Sequence, residues 1–481
     1  MSTTTLTTDN SGSPGAVPGA AGGADTGAAA ERRRWIMLGV LVTGQFMALL
    51  DATIVNVAMP TIGADLHTSG SALQLVVAGY TITYAMLLIT AARLGNLLGT
   101  RWVFFAGLAT FTAASLACGL APNVGSLVAA RFVQGAGAAR ARALSVYATV
   151  IAVGAVAGQV VGGVIVSADL FGTGWRPVFL LNVPIGLVLA VLVPRLVPPG
   201  RVPGGRRLDL AGLVTASGAV LLIVLPLVLG REQGWPVWTW ASLVAGLALA
   251  VAFVRVERVI AARGGDPLLN LNVLRAPGMT AGVLALAAGM ITYGGFLFTL
   301  ALHLQLGLGD TALRAGLTFA PAAATFGAVG YYWRRLPVGV HHALTPVGLG
   351  LSAVGYLGIG LSLHAGGSGE PWLTPTLVLL GLGFGAALSP LLSQALVNVP
   401  LSAAADASGL LTTTMQLSQV IGVAIYGTLF LNLAGHVRPH ASAQAITVVY
   451  SWLSVLALLG TLGALVLART VRAAARATAA G

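Results

Sequence analysis

Fourteen long apolar stretches divide this chain, at residues 35–59, 72–91, 102–121, 124–142, 145–168, 177–196, 209–230, 236–255, 278–302, 312–333, 341–363, 372–396, 405–432 and 443–468. An apolar run of about 18 or more residues is long enough to cross a bilayer core as a helix. In lipid every backbone N–H and C=O must be paired within the element, so such runs fold as helices. Charged residues make up only 8% of the chain, against roughly 25% in soluble domains. The expected fold class is an all-α polytopic membrane protein.

The placement of charge sets the orientation. All the basic residues are Arg, and the formal net charge is +12. Nucleic acid is not the expected partner, because most Arg fall in short loops between apolar runs, where membrane proteins carry them. With the N-terminus in the cytoplasm, twenty Arg lie in inside loops and tails. Four lie outside (Arg176, Arg231, Arg314 and Arg438), and Arg131 lies within a span. This asymmetry predicts an even number of spans with both termini cytoplasmic.

Polar segments order the spans. Residues 1–34, rich in Thr, Ser, Gly and Ala, read as a disordered cytoplasmic tail. A six-helix bundle is expected over 35–196 and a cytoplasmic linker over 197–208. Two additional helices follow over 209–255, a second linker over 256–277, a second six-helix bundle over 278–468 and a cytoplasmic tail over 469–481. Six-helix halves are a common building unit of transporters. The single cysteine, Cys118, has no intrachain disulfide partner. His303, His341, His342 and His364 sit at loop edges without metal-ligand spacing, so no metal or cofactor is expected.

Two ionisable residues stand out inside the spans, Asp51 in the first and Arg131 in the fourth. A charge at the bilayer centre costs roughly 2.5–3.5 kcal/mol on insertion scales, so it marks a functional group with a partner to be sought. At 1.5 Å per residue, Asp51 lies about 13 Å and Arg131 about 10 Å below the outer ends of their helices. Similar depths predict that they face one cavity and interact directly or through water. A carboxylate balanced between burial and a guanidinium can change protonation as a cavity opens. The alternative is a structural salt bridge between two helices.

Around these residues the sequence resembles the fourteen-span drug:proton antiporter family of the major facilitator superfamily. "LDATIVNVAMP" (50–60) resembles its first-helix signature, and "RFVQGAGAA" (131–139) its fourth-helix motif, with Arg131, Gln134, Gly135 and Gly137 in place. "WRPVFLLNVPIG" (175–186), "DPLLNLNVLR" (266–275) and "HLQLGLGDTALRAGLTFAP" (303–321) resemble further family segments in the right order. The resemblance implies two six-helix bundles plus two extra central helices, with Asp51 and Arg131 in proton coupling. It implies proton-coupled export of drugs or antibiotics. The absence of Lys beside abundant Ala, Gly and Val fits a GC-rich, actinobacterial type of composition.

The chain also departs from the family pattern. The loop of the cytoplasmic gate, "ARLGNLLGTR" (92–101), keeps Gly95, Gly99 and Arg101 but has Asn96, Leu97 and Thr100 where the family pattern has charged residues. A weaker latch is expected. "GAVAGQVVGG" (154–163) has Gly158-Gln159 in place of the antiporter Gly-Pro. Gly154, Gly158 and Gly162 share one helix face, with Gly163 beside it. Close packing and a role in antiport are both open readings there.

The substrate cavity is expected to draw on Gln45, Asn56, Tyr80, Tyr84, Gln134, Tyr293 and Gln416, polar residues inside spans that also serve helix–helix hydrogen bonding. The leading reading is a secondary transporter of the cell membrane, assumed monomeric, exchanging small hydrophobic or amphipathic molecules for protons. An enzyme is disfavoured because no Walker A, HExxH or G-x-S-x-G context occurs. Uptake, or a transporter-like sensor without turnover, are the alternatives.

Overall fold

The computed structural model describes residues 22–68, 70–141, 158, 160–169, 172–197, 209–230, 233–265, 267, 269–400, 403–435 and 439–480. The described residues are all-helical. The first six helices are α1 (Gly22–Asp65), α2 (Gly70–Leu98), α3 (Thr100–Gly119), α4 (Val124–Ala141), α5 (160–168) and α6 (Pro177–Leu196). Helix α6 is interrupted at Leu181, three residues before Pro184, whose missing N–H leaves the carbonyl four residues back without its helical donor. Next come α7 (Leu210–Leu229) and α8 (Val237–Ala262). The last six are α9 (Met279–Leu302, continued by a π turn over His303–Gly307), α10 (Ala312–Arg335), α11 (Val338–Leu363), α12 (Leu373–Leu396), α13 (Ala404–Ala434) and α14 (Pro439–Ala480).

Eleven of these helices are long and apolar enough to cross a membrane, counted over the described residues. Helix α2 has a shorter apolar stretch, Ala72–Tyr84, counted over the described residues. Helix α4 is diluted by Arg131 and Arg140. Much of the fifth segment, including Gly154 and Gln159, lies outside the described residues.

Several expected boundaries move. Helix α1 starts at Gly22, so residues 22–34 of the expected disordered tail are helical. Ala28–Ala30, Glu31 and Arg32–Arg34 are strong helix formers and extend the apolar span that begins at Trp35. Likewise α14 continues to Ala480 through an Ala- and Arg-rich stretch expected as a tail. Gly95 and Asn96 lie in the last turn of α2 and not in a loop. The connection to α3 is Gly99 alone, at φ 96°, a left-handed backbone that favours glycine. Linker residues 198–208 lie outside the described residues.

The helices form two groups. In the first, α4 packs between α2 and α3. A Cβ at Gly135 would strike the Tyr80 carbonyl, and one at Gly137 would strike the backbone of Phe111. Small residues there let helix backbones approach closely. In the second group, α11 packs on α12 and α14, α9 on α13 and α14, and α10 on α12.

The groups meet at one end. Ile54, Ala58 and Ile62 of α1 share a core with Leu297, Phe298 and Ala301 of α9. A separate core, with Val40, Met47, Phe104, Leu108, Leu189 and Val193, belongs to the first group alone. Helix α7 lies over the seam between α2 and α13. Its Val224 packs with Ala78, Ile82, Val420 and Ala424, and Thr428 donates to the Leu227 carbonyl at 2.8 Å.

Candidate functional site

Helix α1 carries Asp51 into the interior of the first group, where the carboxylate is fully buried. Three donors from other helices converge on it. Arg131 Nη1 of α4 reaches Oδ2 at 2.5 Å. Gln134 Nε2, one turn along the same face of α4, donates to Oδ1 at 2.8 Å. Asn182 Nδ2 of α6 donates to Oδ1 at 2.7 Å. Burying an ion is costly unless it is paired and hydrogen-bonded, and this carboxylate is both.

Arg131 is as completely enclosed as its partner. Its Nε donates to the Val76 carbonyl at 2.9 Å, and Nη1 also reaches Gln134 Oε1 at 2.6 Å. Gln134 Nε2 in turn reaches Ser115 Oγ of α3 at 2.7 Å. The guanidinium carbon lies 4.4 Å from the ring centre of Tyr80, a cation–π contact. Chemically, the Arg131 guanidinium keeps two carbonyl acceptors, Val76 O and Gln134 Oε1, whether or not Asp51 holds a proton. The cation therefore does not depend on the carboxylate alone.

Helix α5 shares the wall. A Cβ at Gly158 would strike Thr53 Oγ1 and lie 2.8 Å from the Leu50 carbonyl, and one at Gly162 would lie 2.8 Å from Ile54. Both glycines therefore seat α5 against α1 beside Asp51. Gly163 faces α10, where its Cβ would lie 2.7 Å from the Ala312 carbonyl.

Between the groups lies a central cavity. Tyr80, Tyr84, Tyr293 and Gln416 line it, together with Met415 and Gln419. The Tyr80 and Tyr84 rings stack at 6.0 Å. Asn56 lines a smaller neighbouring space of about 370 Å³ with Thr81 and Gln419. Two candidates fall elsewhere. Gln134 belongs to the Asp51 network, because it stands three residues after Arg131 on the same helical face. Gln45 is buried in α1 and lines neither space.

Asn182 and Ser115 join the Asp51 network and are not among the residues the sequence singles out. Asn182 had a signal, since it is a polar side chain inside the apolar run 177–196. Ser115 had none beyond being a small polar residue in a span. In the expected gate, Arg101 bonds within the first group, to the Pro194 carbonyl at 3.4 Å.

Comparison with known proteins bears on this arrangement. Residues 41–423 match the family model described as Major Facilitator Superfamily. The chain is 38% identical over 425 residues to a protein of Streptomyces coelicolor named as an actinorhodin transporter, covering 84% of this chain and 73% of that one. It is 36% identical to the cephamycin export protein CmcT of Amycolatopsis lactamdurans, covering 80% and 82%. It is 31% identical to a protein of Salmonella heidelberg named as the multidrug resistance protein MdtD, covering 91% and 95%. Among solved structures, a bacterial homologue of the human lysosomal transporter Spinster superposes with a TM-score of 0.62 at 17% identity, covering 91% and 97%. A peptide transporter of the POT family gives 0.63 at 14%, covering 90% and 96%. These last two likenesses speak for the fold alone. With its helices, its buried network and its relatives taken together, the chain belongs to the major facilitator superfamily, as a multi-pass transporter of the cell membrane.

Proposed function

We propose that this protein is a proton-coupled exporter of small hydrophobic or amphipathic compounds, working by alternating access with Asp51 as the protonatable group. The observation that carries this reading is the fully buried Asp51, held by Arg131, Gln134 and Asn182 one helix face away from the central cavity. A lone ionisable pair at membrane depth is the usual mark of a proton path. Each proton moving inward gains about 2.3 kcal/mol per 100 mV of potential, which can drive a solute outward. Export is supported by the names of the relatives, two of which are called a cephamycin export protein and a multidrug resistance protein.

Fourteen spans with cytoplasmic termini accompany this reading, supported by the Arg asymmetry and the fourteen apolar stretches. The two six-helix groups rock about the cavity, and α7 and α8 ride beside them. The packing of α1 on α9 at the Pro60 end supports a state closed on that side.

Transport in liposomes under an imposed pH gradient tests the proposal. Wild type is expected to move a fluorescent drug against its gradient and to dissipate ΔpH while doing so. Asp51→Asn is expected to do neither. A folded Asp51→Asn protein that transports and consumes ΔpH normally would sink the coupling mechanism.

A further inference from the structure

We infer that the ligand is an uncharged planar aromatic molecule, seated on the rings of the second helix group and kept out of contact with Asp51. This deepens the transport reading above and rests on it for the term substrate, though not for binding itself.

The first observation is a side pocket. A second, apolar space lies between α9, α10 and α12. It shares Tyr293, Phe326 and Phe384 with the central cavity, so these three rings stand between the two spaces and border both. Tyr293 lies 5.2 Å from Phe384 and 6.4 Å from Phe326, and both contacts are edge-to-face. Phe296 and Phe319 close the far side, 5.5 Å apart. Aromatic pairs prefer such edge-to-face or offset arrangements. A flat ring entering beside Phe384 and Phe326 extends this packing, whereas an aliphatic chain does not reproduce it.

The second observation is charge. Among the described residues, no Asp, Glu, Arg or His lines either space. Asp51 is enclosed completely and spends its lone pairs on three donors. A cationic ligand therefore finds no exposed carboxylate. Nor is the Tyr80 wall a good cation platform, because the Arg131 guanidinium already occupies that ring's environment at 4.4 Å. A net anion, in turn, finds no exposed cation to offset its desolvation.

The third observation is the polar complement. Gln416 and Gln419 of α13 line the cavity with Tyr293, while the Tyr80 hydroxyl is already spent on the Ala48 carbonyl at 2.8 Å. Side-chain amides and phenols pair with neutral carbonyl, hydroxyl or ring N–H groups. A few such groups in an apolar cavity fix a ligand's orientation. The ligand's ring is thus assigned to the second group and its polar edge to α13.

A matched pair of fluorescent tricycles tests this. Acridone is neutral and carries a carbonyl and an N–H, while 9-aminoacridine has the same outline and is a cation at pH 7. Binding of each is measured to the full-length protein in phosphatidylcholine nanodiscs without any gradient, with empty nanodiscs subtracted. Acridone is expected to bind at least tenfold more tightly than 9-aminoacridine. Phe384→Ala and Tyr293→Ala are each expected to weaken acridone at least tenfold while the proteins keep monodisperse elution and cooperative melting. Equal or tighter binding of 9-aminoacridine overturns the inference. So does unchanged acridone affinity in either folded variant, or no binding of acridone at all. Because no gradient is present, a failure of proton coupling leaves these outcomes untouched.

Discussion

The two helix groups bury opposite kinds of chemistry. The first group encloses an ion pair threaded with amides, Asp51, Arg131, Gln134 and Asn182, drawn from α1, α4 and α6. The second encloses rings. Tyr293, Phe296, Tyr356, Phe384 and Tyr450 touch one another through α9, α11, α12 and α14. No Asp, Glu or Arg is buried among the described residues of α9–α14. A division of labour follows, with charge handled on one side and shape on the other. Polar groups in the first group are mutually dependent, because each satisfies another's desolvation. Rings in the second contribute through area and contact, which degrade gradually.

That contrast can be broken by substitution, and the largest effect is expected at Arg131. Arg131→Leu leaves Asp51 buried without its cation, which typically costs about 3–5 kcal/mol. Unfolding of the detergent-solubilised protein should show that loss, and the double variant Asp51→Asn/Arg131→Leu should recover part of it. Recovery of nothing would mean the two side chains are not energetically coupled. Asn182→Ala removes one donor to the carboxylate, and hydrogen bonds to charged groups are worth about 1.5–3 kcal/mol. The same unfolding measurement checks it.

A steric variant sharpens the comparison from the α5 side. Gly158→Ala places a methyl against Thr53 and the Leu50 carbonyl, an overpacking that costs about 1–3 kcal/mol. It should lower stability although no polar contact is deleted. The smallest effect belongs to the ring side. Tyr450→Phe deletes a long bond to the Phe296 carbonyl, 3.3 Å, and a side-chain contact with Thr299, and keeps the ring packing. Its cost should be about 0.5–1 kcal/mol. A loss as large as that of Asn182→Ala would show that the second group also depends on a polar network.

Much of this fold could be read from the chain because lipid imposes one rule, internal pairing of the backbone, on every long apolar run. Asp51 and Arg131 were legible for the same reason, as rare charges at matched depth. Asn182 was harder, since one amide in an apolar run is equally consistent with helix packing, and only the fold brings α6 against α1. The bonds of Gln134 run to Asp51, Arg131 and Ser115, and its spacing from Arg131 puts both on one face of α4. The helical start of α1 at Gly22 was hidden because composition distinguishes lipid-soluble from polar residues better than it separates helix from coil. Gly95 and Asn96 illustrate the same point at the end of α2.

Helix α7 has a consequence for solutes dissolved in the membrane itself. It covers the line where α2 meets α13, filling it with Val224 and tying it with the Thr428 bond to Leu227. Helix α8 is stacked on α7 in turn, largely open to its surroundings. A lipid-dissolved molecule approaching along the plane of the bilayer from that flank meets two thicknesses of helix before it reaches the cavity. The inserted pair thus makes a symmetric architecture one-sided, with a shuttered flank past which any greasy cargo must find another door.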